Sequence, residues 1–333
     1  MTDAHETRDA QPDGAGQPHG VQVVTLGETM ALVAATTTGA FTVGAPARIS
    51  FGGAETNVAI GLSRLGHSAA WIGRLGADPL GFLVKDALRA EGIDVSRVRV
   101  DSDVATGLML REHRTADRVR VSYYRRGLAG SRLTPADIDT ELIQRAGLLH
   151  VSGITSALSE SARAAVHTAV EAARSAGVLV SFDFNYRAAL WSAREAAAEF
   201  ESLVAQADIV FAGEEEAAMV VGEGSVDEVT KALVALGPRQ VVLKRGGEGA
   251  YAVIDGETAT SPALKVSLID PVGAGDAFVA GYLSALLDDL GPAERLRRGN
   301  VCGAFAVSVS GDWEGLPRRS ELATMDGTEN VAR

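Results

Sequence analysis

The stretch "DPVGAGDAF", residues 270–278, decides how this chain is read. Three small residues, Gly273, Ala274 and Gly275, stand between a valine and Asp276, and apolar residues then recur at Phe278, Val279, Leu283, Leu286, Leu287 and Leu290. The spacing predicts a turn entering a long amphipathic helix. The first turn of such a helix offers unpaired N–H groups and a partial positive charge, and glycine leaves that backbone bare to an approaching anion. On these residues alone two readings stand: a phosphate cradle with a carboxylate placed to accept a proton from a hydroxyl, or a roomy turn with an aspartate cap. No Lys-Ser or Lys-Thr follows the glycines, so this is not a Walker loop, and no G-x-G-x-x-G follows the first strand, which argues against a dinucleotide-dependent oxidoreductase.

Outward from this turn, the chain alternates. Strands are predicted at 21–28, 69–76, 148–154, around "VLVSFDFNYR", at "DIVFAG" and "QVVLKRGG", with two short ones near "AYAVID" and "LKVSLI". Helices are predicted at 57–66, 79–93, 159–177 and in four or more later segments, each closed by glycine or opened by a polar cap. Alternation of this kind builds a mostly parallel sheet covered by helices, an α/β fold. Two stretches differ: 31–53 and 106–127 alternate in polarity and are rich in β-branched and aromatic residues, which predicts a small half-buried sheet beside the main body.

Composition sets further bounds. The 333 residues carry a formal net charge of −12, which disfavours nucleic acid or an anionic membrane as partner and requires local cations for any anionic substrate. The single cysteine, Cys302, excludes an internal disulfide and suits a cytoplasmic protein, and no run is long and apolar enough for a membrane helix. Residues 1–20 read as a disordered tail and 321–333 as a C-terminal tail.

A second glycine motif, "GGAETNVA" (52–59), also opens a helix. Its glycines can let backbone lie against a flat polar ligand, with Glu55 and Asn57 as partners for sugar hydroxyls; the alternative is a tight turn capped by Asn57. The pair "GGAETNVAIGLSRLG" and "DPVGAGDAFVAGYL" resembles the two signatures of the ribokinase-like (PfkB) sugar kinases, over about residues 21–317. Within that family "SYYRRGLAGSRLTPADID", "VSGITSALS", "FDFNYRAALW" and "VVLKRGGEGAY" are similar to the 2-keto-3-deoxygluconate kinases.

The resemblance implies a three-layer α/β/α Rossmann-like core over 21–320 with a small β-sheet lid from about 31–52 and 104–127, often shared in a homodimer or larger homo-oligomer. It implies transfer of the ATP γ-phosphoryl group to a primary hydroxyl, with Mg²⁺ accompanying the nucleotide. Asp276 falls on the family's general base, and Gly273, Ala274 and Gly275 on its anion hole. Gly53, Ala54, Asn57, Tyr123, Arg125, Asn185, Arg187 and Asp312 fall on substrate-contacting positions, and Met109 stands where a tyrosine is usual. Lys244, Gly246, Gly247, Gly249 and Asn300, with Gly273 and Gly275, fall on the nucleotide side. Glu216 is a candidate for orienting Mg²⁺ waters, and a monovalent cation such as K⁺ near Asp270 and Val272 is common in the family. Arginine's planar fork suits a carboxylate, so Arg125 and Arg187 favour a keto-deoxy sugar acid over a neutral ketose such as fructose or a nucleoside. A binding protein without turnover is the alternative of another class, against which the intact "GAGD" argues.

Overall fold

Adjacent residues of the predicted strands are apolar in pairs, and each pair has one member for either face of a sheet. The computed structural model, which describes residues 20–115 and 118–326, bears this out. Val23, Leu148, Ile209, Phe211 and Val242 join one core with Val58, Leu62, Phe278, Val279 and Tyr282. Val24, Leu149, Val210, Val241 and Leu243 join the core on the opposite face, with Ala165, Val166, Phe200 and Leu233. The result is three layers, helix–sheet–helix, as expected.

In chain order the strands are β1 (Val23–Leu26), β2 (Met30–Thr38), β3 (Ala47–Gly52), β4 (Ala69–Ile72), β5 (Arg74–Gly76), β6 (Arg99–Asp101), β7 (Leu108–Thr115), β8 (Arg118–Tyr124), β9 (Leu148–Ser152), β10 (Leu179–Asp183), β11 (Ile209–Gly213), β12 (Gln240–Lys244), β13 (Ala250–Ile254) and β14 (Glu257–Ser261). The central sheet has the order β14-β13-β12-β11-β10-β9-β1-β4. It is parallel from β4 to β12 and antiparallel at β13 and β14. The chain leaves β1 toward β4 on one side and returns as β9 on the other. That reversal opens a crevice at the carboxyl ends of β1 and β9, where open α/β sheets bind ligands.

A four-stranded sheet, β3-β2-β7-β8, stands over this end. It springs from β1 through Glu28 and Thr29 and returns through β3 into the helix Ala54–Arg64, so its strands are anchored at the crevice. The expected strand at 69–76 is two, β4 and β5, separated at Gly73, where a Cβ would lie 2.2 Å from the Trp71 ring. "LKVSLI" is not a strand. Leu268 and Ile269 are exposed, and the last strand is the less apolar Glu257–Ser261. The "DG" pair explains this: Asp255 and Gly256 both have positive φ, the two-residue hairpin turn that pairs Ile254 with Glu257. The expected tail at 1–20 lies almost wholly outside the described residues, as does 327–333. Residues Arg319–Asp326 form a 3₁₀ turn with Leu322 against the core, where a tail was expected. Among the described residues no helix is long and apolar enough to cross a membrane.

Candidate active site

The helix that follows "GAGD" runs Ala274–Leu287. Its cap, Gly273, has φ 77°, and a Cβ there would lie 1.9 Å from the Asp312 carbonyl, so both the left-handed backbone and the close approach require glycine. Asp276 therefore sits inside the first turn rather than at its opening. Its carboxylate accepts from Asn57 Nδ2 at 2.8 Å and from Asn185 Nδ2 at 3.4 Å. Burial, together with the nearby Asp183 carboxylate, pushes Asp276 up from 3.8 to about 6, against the lowering effect of Asn57, Lys244 and Arg187. The aspartate is thus ionised at neutral pH yet more basic than a surface carboxylate.

A cavity of about 470 Å³ opens above it, lined by residues of the crevice, of the four-stranded sheet and of the loop after β10. Of the residues expected on the substrate side, Gly53, Ala54, Asn57, Met109, Tyr123, Arg125, Arg187, Asp276 and Asp312 line it together, and Gly273 closes it. Asn185 stands behind Asp276. Arg126, the residue after Arg125, is exposed and lines the cavity as well. Met109 lies opposite Tyr123 across the β7–β8 pair and is buried.

Four corrections follow. Glu55 does not face the cavity: it is fully buried, accepting from Ser152 Oγ and Thr155 Oγ1, both at 2.6 Å, and burial pushes it up to about 7. The Gly52–Gly53 pair is small because protein crowds it, a Cβ falling 2.2 Å from Asp312 Oδ2 at Gly52 and 2.3 Å from the Glu28 carbonyl at Gly53. Arg125 is not a free cation, because its guanidinium pairs with the buried carboxylate of Glu28 and lies 5.7 Å from the Tyr123 ring centre. Glu216 is engaged by backbone, accepting from Tyr186 N and Gly213 N, both at 2.7 Å.

Three residues that sequence reasoning passed over organise the site. Glu28 follows the first strand, and its place at a strand end was the available signal. Arg111, in β7, is buried between Asp270 Oδ2 (3.1 Å) and Asp312 Oδ1, tying the small sheet to both loops that flank Gly273. Asp312 is pushed up to about 6 by burial, with Arg111 opposing. Asp183, at the end of β10, holds Lys244 Nζ at 2.7 and 2.8 Å. Burial alone would lower the Lys244 ammonium, but Asp183, Glu216 and Asp276 hold it above its ordinary range. The cavity lining thus balances Arg125, Arg126 and Arg187 against Glu28, Asp276 and Asp312.

Of the residues expected on the nucleotide side Gly273 lines this cavity, while Gly246, Gly247, Gly249, Gly275 and Asn300 do not, and Lys244 bridges the two regions. Its Nζ lies 3.5 Å from where a Gly275 Cβ would be, so the ammonium sits under the first turn of the helix. Gly246 and Gly249 have positive φ in the turn after β12, and a Cβ at Gly246 or Gly247 would meet nothing. Asn300 Nδ2 donates to Ser261 O and Oγ (3.0 Å each) and to Pro262 O (3.1 Å), fixing the chain after β14. Asp270 is already engaged by Arg111, by Val272 N at 3.1 Å and by Gly311 N at 3.2 Å.

Comparison with known proteins places the chain in a family. The family profile described as "pfkB family carbohydrate kinase" matches residues 21–319. The chain is 36% identical to 2-dehydro-3-deoxygluconokinase of Bacillus subtilis (strain 168) over 307 residues, 91% of this chain and 95% of that protein. It is 35% identical to fructokinase-1 of Zea mays over 310 residues, 90% of this chain and 96% of that one. The crystal structure of a PfkB protein from Polaromonas sp. JS666 superposes with a TM-score of 0.83 at 38% identity, covering 91% of this chain and 99% of that chain. The chain belongs to the pfkB family of carbohydrate kinases and is a sugar kinase.

Proposed function

We propose that this kinase transfers the γ-phosphoryl group of ATP to the primary hydroxyl of a keto-deoxy sugar acid, 2-dehydro-3-deoxygluconate. The observation that carries the reading is Arg187. It lines the cavity above Asp276, lowers Asp276 by its charge, and has no carboxylate partner among the described residues. A cation left free in an acidic protein suits an anionic substrate. Arg126 adds to it, Arg125 offers the donors that its pairing with Glu28 leaves, and Asn57, Tyr123, Asn185 and Asp312 supply polar contacts to the sugar.

Asp276 acts as general base, its carboxylate oriented by Asn57 and Asn185 to take the hydroxyl proton. The N–H groups of Gly273, Ala274 and Gly275 receive negative charge developing on the transferred group, without reorganisation, and Lys244 adds its charge from below. The nucleotide lies over Gly246, Gly247 and Gly249, with Asn300 supporting the wall of its site. Mg²⁺ fits as a companion of the nucleotide: Asp183 and Asp276 make the region acidic, while the bonded Glu216 acts through water. When bound, the ion neutralises phosphate charge. For a monovalent cation near Asp270 and Val272, backbone carbonyls are the donors, since the Asp270 carboxylate is already engaged. In this reading residues 21–320 are the kinase domain, the small sheet is a lid, and the exposed Ile49 and Val119 on it meet a second copy in a cytoplasmic homo-oligomer.

The test is a coupled ADP-release assay over both keto-deoxy acids, fructose, ribose and adenosine. Turnover of neutral compounds only would refute the acid reading and favour the fructokinase likeness. Arg187→Ala is expected to raise KM for the acid about tenfold or more, and to leave any turnover of fructose unchanged.

A further inference from the structure

The carboxylate of Glu28 has no part in the proposed chemistry, yet it lines the cavity at the end of β1. Its side chain is 0% exposed, and the Arg125 guanidinium is the group that compensates it. The side chain is gripped in place: a Cβ at Gly130 would lie 2.3 Å from its Cγ, and one at Gly107 3.4 Å from its Oε1. Arg125 Nη2 is held by this carboxylate, while Arg125 Nε is buried without a hydrogen-bond partner. Neither Glu28 oxygen has a hydrogen-bond partner, so the contact is a close ion pair: the charge of the guanidinium is already offset before any ligand arrives, while N–H donors, Nε among them, remain for a ligand. A buried arginine standing alone would bind any small anion. One paired with a rigid carboxylate binds only a group whose shape meets the remaining donors.

We infer that Glu28 is a specificity-determining residue that tempers Arg125, weakening the pull of the pocket on negative charge as such. The inference rests on the keto-acid reading only for its choice of probe. It predicts that removing the charge, while keeping shape, strengthens binding of the anion and leaves its uncharged counterpart unaffected.

The experiment is calorimetric titration of the full chain and of Glu28→Gln with 2-dehydro-3-deoxygluconate and with its methyl ester. Loss of one unit charge a few ångströms from the ligand in a partly desolvated pocket is expected to lower Kd for the acid about five- to tenfold. The ester Kd should move less than about twofold, which also serves as the folding control. Glu28→Met is the second charge-free variant. In an Arg125→Gln background the buried Glu28 carboxyl has no cation to keep it ionised and takes up a proton, so the effect of Glu28→Gln should vanish. An acid Kd that is unchanged or raised in Glu28→Gln overturns the inference, as does an effect that persists without Arg125. If the wild type binds fructose but neither probe, the proposed substrate is wrong. The inference is then decided by whether acid binding emerges in Glu28→Gln.

Discussion

Replacing Asp276 by asparagine separates chemistry from stability in one variant. In the folded protein burial pushes this carboxyl from 3.8 to about 6. At about 1.4 kcal/mol per pKa unit, holding it ionised costs the folded state at most about 3 kcal/mol at pH 8. Between about pH 4 and pH 6 the native protein binds more protons here than the unfolded chain does. The contribution of Asp276 to stability therefore falls as pH rises through that window. Asparagine has no such dependence. Asn57 Oδ1 is buried without a partner, so a flipped Asn57 amide can accept from the new Nδ2. The variant should be about 1–3 kcal/mol more stable than wild type at pH 8 by urea denaturation, with the difference shrinking toward pH 4.5. Its turnover should fall about 10²–10⁴-fold, the usual contribution of a general base. Wild-type activity should itself fall below about pH 6 as the base becomes protonated. Turnover within tenfold of wild type, or a stability difference that ignores pH, would refute the reasoning.

Two further substitutions probe the buried charges. Arg111→Met leaves Asp270 and Asp312 buried without their cation, and should cost about 3–5 kcal/mol in chemical denaturation; a loss under about 1 kcal/mol would show that the bridge does not hold the two loops. Glu55→Gln keeps the acceptor for Ser152 and Thr155 but removes a charge whose folded pKa is raised from 4.5 to about 7. That variant should be more stable than wild type at pH 8 and nearly equal at pH 5, by thermal unfolding at the two pH values.

The site was legible wherever a role depends on local backbone. "GAGD" forms a helix N-terminus because a left-handed glycine and a following apolar repeat are written in consecutive residues, and Asn57 and Asp276 were both named from such motifs. The reading failed where burial decides. Glu55 and Asn57 are two residues apart on one helix, yet one is sealed against Ser152 and Thr155 at the end of β9 and the other faces the cavity. "LKVSLI" has strand-like composition but no neighbouring strand to pair with, whereas "ETATS" has Ala250–Ile254 beside it through the hairpin.

By itself, then, the sequence determined the alternation of strands and helices, the two glycine turns and the family, since these rest on spacings of a few residues. Tertiary structure alone decided which charges meet. Arg111 reaches Asp270 and Asp312 across 159 and 201 residues, and Ser152 reaches Glu55 across 97. No local pattern encodes such pairings, because they arise only when the sheet brings its carboxyl ends together and removes water from between them.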